Sequence, residues 1–417
     1  MKLILIHEMV QVALSAIWAN KLRSFLTILG NIVAVTSIIT LVSLIQGITE
    51  EVKSVILSEL GPDAFQVNRR GIIRTEEDLE RTRNNPRITL ADAEAIRRFA
   101  TSTVSAVMAE SSRSGEIRYR GRVLESASIQ GVTEEFIWFS TFNAEMGRLM
   151  TPAEVRRKRN VAVLGWDTAE RLFGALDPID RRVRIHGVPF RVVGVSRRQG
   201  SSFGQSQDEF AVIPLGAFQR LFGSRSSLEL RVQPTDPAEI DRAIGQATVA
   251  LRIERRLKAN EDDNFGIFTS QTGLDLYNQA TAGIFAVLVG VVGLALVVAG
   301  IVIMNIMLMA VSERTREIGL RKALGARRQD ILWQMLSESV ALSVLGGAAG
   351  TALGAAAALA LDRFAPVPAV VHPWSVILAI TMTAAVGLFF GLYPAARAAH
   401  ALGYESQAQA WLTCPAA

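Results

Sequence analysis

Cysteine and histidine are scarce in this sequence of 417 residues. The single cysteine, Cys414, cannot form a disulfide within the chain. Any part that faces an oxidising compartment must therefore fold on its own core, and a region of about 220 residues can bury enough surface for that. The four histidines are isolated from one another along the sequence, and no His/Cys spacing typical of a metal site occurs. The sequence therefore predicts no metal-binding residues.

Lysine is also rare, and its positions exclude one class of nucleotide site. A P-loop needs a lysine directly after a glycine so that the ammonium reaches the phosphates. None of the six lysines follows a glycine, and neither G-x-S-x-G nor H-E-x-x-H occurs. The pair Asp208 and Glu209 is interpreted as a solvated turn. We therefore predict no catalytic residue, no cofactor-binding residue and no enzymatic activity in this chain.

Aspartate, glutamate, lysine and arginine are absent from four long apolar windows, namely 25–48, 280–311, 339–361 and 373–396. Each window exceeds the roughly 20 residues that cross a bilayer, and backbone hydrogen bonding in lipid requires a helix. Half of the chain is apolar and 20% is charged, which indicates a membrane part and a sizeable soluble part. The second window is longer than a span needs, so it either tilts strongly or continues as a stalk outside the membrane. We favour the stalk because Thr281 and Gly283 dilute the apolar run at its start.

The short flanking segments predict the orientation of the spans, because cations collect on the cytoplasmic side. Segment 312–330 carries six cations, and Lys2, Lys21 and Arg23 precede the first span. Segment 362–372 has only Arg363, balanced by Asp362. The N-terminus, segment 312–330 and the C-terminus are thus predicted to be cytoplasmic, with the region between the first two spans outside. The net charge of +5 is modest and implies no nucleic-acid partner.

Residues 2–19 show an apolar helical face opposite a polar one, which predicts an amphipathic helix in the inner interface of the membrane. No clear A-x-A site follows, so an uncleaved anchor is expected rather than a signal peptide.

The region after the first span mixes strand and helix patterns and predicts an α+β domain, which we divide into two subdomains. Thr89 is a good N-cap for a helix over 89–99, and His186-Gly187 fits the turn of a hairpin over 181–196. Residues 68–87 are charged and are interpreted as an exposed loop. The segment 208–223 fits a strand followed by a helix.

The segment "SERTREIGLRKALGARRQDI" (312–331) separates the second and third windows. Its pattern predicts a helix over 312–324 that ends at Gly325, and a second helix that starts near Ala326. The spacings from Glu313 to Arg316 and from Glu317 to Arg321 favour ion pairs on one helix face. From charge alone, a loop that only orients the protein and a docking element for a partner are both open.

The order of residues in this segment resembles that of a known family. "SERTREIGLRKALGARRQDILWQMLSESVALSVLGGAAG" is similar to the segment after the second span of MacB/FtsX-like ABC transporter permeases. "LTILGNIVAVTSIITLVSLIQGI" resembles the first span of that family, and "GLYPAARAAH" resembles the end of its fourth span. Residues 161–223 resemble the MacB periplasmic core. The tail "ALGYESQAQAWLTCPAA" departs from the Asp-Pro-x-x-Ala-Leu-Arg-like ending that is usual in the family.

The resemblance implies a bacterial inner-membrane protein with four transmembrane α-helices and a large α+β extracytoplasmic domain between helices 1 and 2. The expected segments are an amphipathic helix at the cytoplasmic interface (1–24), a first span (25–48), a periplasmic MacB-like core of two subdomains (49–278), a second span (279–311), a cytoplasmic coupling helix and turn (312–330), a third span (331–361), a short external loop (362–372), a fourth span (373–397) and a cytoplasmic tail (398–417).

The resemblance also implies partners and a function. With no P-loop in this chain, ATP and Mg²⁺ are expected on a separate cytoplasmic ABC ATPase dimer, and a second permease chain is expected in the membrane. The residues implied to contact the ATPase are Glu313, Arg314, Arg316, Glu317, Gly319, Arg321, Lys322, Leu324 and Gly325. The expected function is mechanotransmission, in which ATP hydrolysis moves the periplasmic domain for export or efflux of a substrate.

Two other functions are open from the sequence. An ion-driven carrier is disfavoured because the four apolar windows contain no carboxylate. A non-transporting, FtsX-like regulator or scaffold that signals to an envelope partner would share the coupling helix. The sequence does not identify the substrate, and it leaves open a periplasmic adaptor, an outer-membrane channel, and whether the second permease chain is identical.

Overall fold

The computed structural model describes residues 21–61, 63–139, 143–364 and 368–400, and for 21–27, 59, 60 and 400 it describes the backbone alone. Most of the predicted amphipathic helix and of the predicted tail thus lies outside the described residues. The chain divides into a helical unit, residues 1–50 with 280–417, and an α+β unit, residues 51–279. The division of 49–278 into two subdomains stays a prediction.

The helical unit is built from long apolar helices. Among the described residues, four helices are long and apolar enough to cross a membrane, within Ile28–Ser58, Ser270–Glu313, Arg328–Phe364 and Pro373–Ala399. The helices that form this unit are α1 (Lys21–Leu60), α8 (Ser270–Glu313), α9 (Thr315–Ala323), α10 (Arg328–Phe364) and α11 (Pro373–His400). Helices α1 and α8 are each continuous past the residue at which the two units divide.

Small residues and side-chain hydrogen bonds bring α1 and α10 together. A Cβ on Gly354 of α10 would lie 2.8 Å from the Cβ of Ile39, so only glycine allows this approach. The buried Asn31 Nδ2 donates to the backbone oxygen of Ser343 at 2.6 Å. The Asn31 side chain therefore serves helix packing.

The segment between α10 and α11 also lies against α1. A Cβ on Gly47 would lie 2.1 Å from the carbonyl oxygen of Pro368. The Val370 N–H donates to the Ser43 oxygen at 3.1 Å, and His372 Nε2 lies 2.8 Å from Glu50 Oε1. These contacts fix residues 368–372 to the helix that leads into the α+β unit.

The α+β unit is organised around one ten-stranded sheet in the order β12-β1-β11-β2-β3-β10-β5-β7-β4, with β6 paired to β2 and β7. The pairs β3–β10 and β5–β7 are parallel and the others are antiparallel. Strands β8 and β9 form a separate hairpin. The strands are β1 (Phe65–Asn68), β2 (Val104–Tyr119), β3 (Arg122–Val132), β4 (Ala144–Gly147), β5 (Val161–Leu164), β6 (Arg182–Ile185), β7 (Val188–Ser196), β8 (Ser201–Ser202), β9 (Gln205–Ser206), β10 (Phe210–Pro214), β11 (Glu229–Pro234) and β12 (Gly266–Thr269).

Helices cover one face of this sheet, and the other face is only partly covered. The helices of the unit are α2 (Glu76–Arg83), α3 (Leu90–Phe99), α4 (Pro152–Arg156), α5 (Trp166–Phe173), α6 (Leu215–Phe222) and α7 (Ile240–Glu254). On the first face, α3 and α7 pack over Val107 and Leu230, and α5 and α6 pack over Ile129 and Ile213. On the second face, α4 and a short 3-10 helix (Glu134–Trp138) cover a third core that includes Met108.

Several local predictions are confirmed. Thr89 precedes α3 in extended backbone, and its N–H donates to Asp92 in a capping box. His186 and Gly187 have φ values of 47° and 82°, which is the backbone of a two-residue turn that joins β6 to β7. The strand and helix predicted over 208–223 are β10 and α6.

Two predictions about the α+β unit are wrong. Residues 68–87 contain helix α2, because Thr75 and Asp78 form a capping box that starts a helix in a charged segment. Asp208 does not lie in a solvated turn. Its side chain is fully buried, and its carboxylate accepts hydrogen bonds from the backbone N–H groups of Gln199 and Gly200 at 2.8–3.0 Å. A buried carboxylate needs such donors to replace its lost hydration.

Candidate functional site

The candidate site is residues 312–330, which join α8 to α10 and which we term the connector. Helix α8 ends at Glu313, and Arg314 interrupts the helical path with φ −93° and ψ 14°. The helix predicted to start at 312 therefore starts at Thr315. Glu313 and Arg316 consequently lie on different helices, whereas both partners of the Glu317–Arg321 spacing lie on α9.

The connector turns sharply at Gly325, as predicted. Gly325 has a φ of +98°, a conformation that glycine adopts without strain. Its N–H donates to the Lys322 oxygen at 3.0 Å, and the Ala326 N–H donates to the Arg321 oxygen at 3.0 Å. These two bonds form a Schellman motif and satisfy carbonyls that a helix end would leave open. Asp330 then accepts from the Arg327 N–H at 3.0 Å and caps the start of α10.

Polar side chains fasten α9 to two neighbouring helices. Arg314 Nη1 lies 3.4 Å from the Glu338 carboxylate of α10. Arg321 Nη1 donates to Gln334 Oε1 at 2.8 Å, and Lys322 Nζ donates to the Ala399 oxygen of α11 at 2.8 Å. Burial lowers the pKa of Lys322 from its ordinary value, and the nearby charge of Arg328 lowers it further.

An apolar contact supplements these polar ones. Ile318 is the buried side chain of α9. It belongs to a cluster with Ile303, Met307 and Val311 of α8, Ile331 and Met335 of α10, and Ala395 and Ala398 of α11. A displacement of α9 must therefore either move three long helices or break this packing.

The opposite face of α9 points to solvent. Leu320 and Leu324 are one helical turn apart and 62% and 80% exposed. Arg316 and Glu317 are exposed beside them, and Arg321 Nη2 forms an ion pair with Glu317 Oε1 at 2.6 Å. An exposed apolar pair with charges around it is typical of a protein-binding surface.

The nine predicted residues thus separate into groups. Arg314, Arg321 and Lys322 contact α10 or α11, while Arg316, Glu317 and Leu324 lie on the exposed face. Gly325 forms the turn, Gly319 is partly buried, and Glu313 ends α8.

The nine predicted residues omit Ile318 and Leu320 of α9, and they also omit three residues outside the connector that hold it, namely Gln334, Glu338 and Ala399. The sequence could have indicated Glu338, since it is the only acidic residue of the segment 331–361. It could not have indicated the carbonyl of Ala399, because any backbone oxygen can accept a hydrogen bond from a lysine. In the part of the chain that the structure describes, no group of three or more His, Cys, Asp or Glu side chains could hold a metal ion.

Two protein families match the chain. The MacB-like periplasmic core domain matches residues 24–249. The FtsX-like permease C-terminal domain matches residues 289–401, a range that contains the whole connector.

Curated relatives match over nearly the whole chain. The macrolide export ATP-binding/permease protein MacB of Bdellovibrio bacteriovorus is 34% identical over 394 residues, which is 93% of this chain and 60% of the relative. The protein of the same name from Chlorobium luteolum is 35% identical over 406 residues, which is 95% of this chain and 60% of the relative. The chain therefore spans about 60% of the length of these relatives.

Among solved structures, the periplasmic region of MacB from Actinobacillus actinomycetemcomitans is similar at 20% identity and a TM-score of 0.42. It covers 52% of this chain and 92% of that one. The extracellular domain of the ABC-type transporter YknZ from Gram-positive bacteria matches at 18% identity and a TM-score of 0.41, over 50% of this chain and all of that one.

Proposed function

The chain belongs to the family of ABC transporter permeases with a MacB-like periplasmic core and an FtsX-like permease domain, and from that premise we propose that it works by mechanotransmission. In this proposal a cytoplasmic ATPase binds the exposed face of α9. ATP-driven movement of the ATPase moves the connector and, through it, the long helices. The α+β unit then acts on a substrate outside the membrane for export.

The attachment of α9 on its inner side is the observation that carries the proposal. A loop that only orients the protein needs cations but no fixed partners. In the connector, three cationic side chains reach residues of α10 and α11, and Ile318 packs against α8, α10 and α11. The helix is therefore held firmly on one face and free to bind on the other, which is the arrangement that a force-transmitting element requires.

The composition of the spans supports action outside the membrane. Their apolar windows contain no charged residue, and a polar route for a solute through the bilayer would usually need some. The buried Asn31, Ser339 and Ser343 are engaged in hydrogen bonds within and between helices. We therefore infer that the helical unit of this chain transmits movement and does not form a solute path by itself.

Continuous helices support transmission across the membrane. Helix α1 extends to Leu60 and helix α8 begins at Ser270. In the α+β unit, the Ser270 Oγ donates to the Gly61 oxygen at 3.0 Å, and a Cβ on Gly273 would lie 3.3 Å from the Ile56 side chain. Within the α+β unit, the end of α1 and the start of α8 are therefore in contact.

The proposal includes a location and partners. We place the chain in the bacterial inner membrane, with segment 312–330 and both termini in the cytoplasm and the α+β unit in the periplasm. The permease works with a cytoplasmic ABC ATPase, and a second permease chain completes the transporter. A periplasmic adaptor and an outer-membrane channel are compatible with this arrangement. A non-transporting regulator would use the same connector, and substrate accumulation after gene deletion separates export from regulation.

A double substitution on α9 tests the proposal. We expect Glu317→Ala with Arg321→Ala to reduce stimulation of the partner ATPase by roughly tenfold, within the range of allosteric coupling energies, and to lower recovery of the permease–ATPase complex. ATP hydrolysis and co-purification with the ATPase measure the two effects in proteoliposomes.

The matched control is the exposed pair Lys258–Glu261 of the α+β unit. Its double alanine variant should stimulate the ATPase as the unmodified chain does. If both double variants stimulate and bind the ATPase equally well, α9 is not the site at which the ATPase acts.

A further inference from the structure

Four neighbouring strands of the α+β unit, β3, β2, β6 and β7, align an exposed row of side chains. Arg118 of β2 lies opposite Val123 of β3 on one side and opposite Arg184 of β6 on the other. Pro189 of β7 in turn lies opposite Arg184. All four residues are exposed, and residues paired across strands share one side of a sheet. Because neighbouring strands lie about 4.8 Å apart, the row is roughly 14 Å long.

Two further arginines extend this row along β6 and β7. Arg182 is two residues before Arg184 and therefore lies on the same side of β6. It is paired with Arg191 of β7, and both are exposed. These residues form one surface, which we term the arginine surface and which consists of Arg118, Arg182, Arg184, Arg191, Val123 and Pro189.

Folding alone does not explain arginine at these positions. Like charges directly opposite each other on paired strands are destabilising, and the surface contains two such pairs, Arg118 with Arg184 and Arg182 with Arg191. Strand β6 is held by its other side, where Val183 and Ile185 are buried in a core. The arginines therefore reduce stability without serving the core, which indicates a role in binding.

The two arginines of β6 have no carboxylate of their own. The outer arginines Arg118 and Arg191 each form a salt bridge within the unit, with contacts of 2.7 and 3.2 Å. Arg182 and Arg184 form no salt bridge with any residue in the described part of the chain. Their planar guanidinium groups are therefore available to an anionic group of another molecule, which they can bind through paired hydrogen bonds.

The shape and composition of the arginine surface favour a protein over a small ligand. Small molecules bind in concave sites, and two cavities of the α+β unit are lined by other residues. The row also ends in exposed apolar residues, Val123 and Pro189. Arginine beside apolar side chains is typical of protein interfaces, whereas a simple polyanion would gain nothing from the apolar ends.

We propose that the arginine surface binds a partner protein through an acidic segment of that protein. Arg182 and Arg184 bind carboxylates of the segment, and Val123 and Pro189 contact apolar residues on either side of them. This interface does not depend on the proposed function, since binding requires neither the ATPase nor transport.

The test is fluorescence anisotropy with the full chain in phosphatidylcholine nanodiscs. The probe is a fluorescein-labelled peptide in which consecutive glutamates lie between two leucines, and the neutral comparison carries glutamine in place of glutamate. We expect saturable binding of the glutamate peptide and at least roughly tenfold weaker binding of the glutamine peptide, because charge-assisted hydrogen bonds are lost. Arg182→Gln with Arg184→Gln should weaken binding of the glutamate peptide by a similar factor.

The matched control is Arg83→Gln with Arg87→Gln, which removes the same charge from two exposed arginines outside the arginine surface and should leave peptide binding unchanged. The Arg182, Arg184 double variant should melt no lower than the unmodified chain, because the substitution removes repulsion between like charges. A lower melting temperature would show that these arginines maintain the fold, and it would overturn the proposal.

Three binding results would also overturn it. The first is the absence of saturable binding of the glutamate peptide. The second is equal affinity of the two double variants, or equal binding of the glutamine peptide, which would show that attraction is not specific to this surface. The third is displacement of the glutamate peptide by an equimolar concentration of tripolyphosphate, which would show a site for small anions instead of a protein interface.

Discussion

The α+β unit and the connector both use arginine–carboxylate pairs, but in different surroundings. Arg255 and Asp92 join α7 to α3 with contacts of 2.9 and 3.2 Å, and their side chains are 7% and 4% exposed. Arg321 and Glu317 of α9 are 41% and 52% exposed. Removal of one partner from a buried pair leaves the other charge buried without compensation, which destabilises the fold strongly. In an exposed pair, solvent can replace either partner.

This difference indicates which charges maintain the fold and which are available to a partner. Substitution of a buried charge in the α+β unit should strongly destabilise that unit. Substitution of an exposed charge on α9 should leave the fold unchanged and alter only what the connector binds. The following predictions test this contrast in order of decreasing effect on stability.

Loss of the buried pair should have the largest effect. Asp92→Ala leaves the Arg255 guanidinium buried without its carboxylate, and we expect it to destabilise the α+β unit by about 3–5 kcal/mol. Denaturant unfolding of the full chain in detergent, followed by circular dichroism, measures the change. Glu77→Ala, in the exposed Arg81–Glu77 pair, is the control and should cost less than about 0.5 kcal/mol. Similar midpoints for the two variants would contradict the contrast.

A fall in pH should cause the next largest loss of stability in the α+β unit. The hydrogen bond from Arg148, followed by those from Thr151, lowers the pKa of Glu154 from 4.5 to about 2. Since the folded pKa is the lower one, the stabilisation is present above about pH 4.5 and is lost as the pH falls toward 2. We expect a loss of roughly 2–3 kcal/mol over that interval.

Glu154→Gln should remove this part of the pH dependence, and unfolding at several pH values between 2 and 5 measures it. An unchanged acid profile in the variant would show that other groups cause the acid sensitivity.

Gly325→Ala should have a smaller effect, confined to the connector. Among the described residues, nothing beyond the chain neighbours of Gly325 lies within 4 Å of a Cβ built at this position, so the expected cost of about 1 kcal/mol arises from the positive φ. Gly121→Ala is the control, because it also adds a Cβ to open space but without a positive φ. Thermal unfolding compares the two, and equal melting temperatures would argue against a strained turn at Gly325.

Glu317→Ala should have the smallest effect on stability. Exposed ion pairs at this helical spacing contribute about 0.3–0.5 kcal/mol, so the melting temperature should stay close to that of the unmodified chain. A large destabilisation would show that this pair, like Asp92–Arg255, maintains the fold.

The sequence predicted features that depend on local chemistry. The turn at Gly325, the cap at Thr89 and the hairpin at His186-Gly187 each follow from neighbouring residues. The helix at Glu76–Arg83 was also locally encoded, but its charged composition concealed the capping box of Thr75 and Asp78.

Features that depend on distant segments could not be predicted. Asp208 resembles a turn residue, and only the fold brings the Gln199 and Gly200 N–H groups to it. The attachment of Lys322 to Ala399 joins residues that are far apart in the sequence.

The central claim, that movement of the connector reaches the α+β unit, is tested most directly by a distance measurement. A spin label at Glu170→Cys in a Cys414→Ser background, in a complex of two permease chains with the partner ATPase, reports the separation of the two α+β units by pulsed electron paramagnetic resonance. We predict that ATP shifts the distance between the two α+β units when the connector is unmodified. The shift should be absent from the variant that carries Glu317→Ala and Arg321→Ala. An ATP-independent distance, or the same shift in both proteins, would contradict transmission through α9.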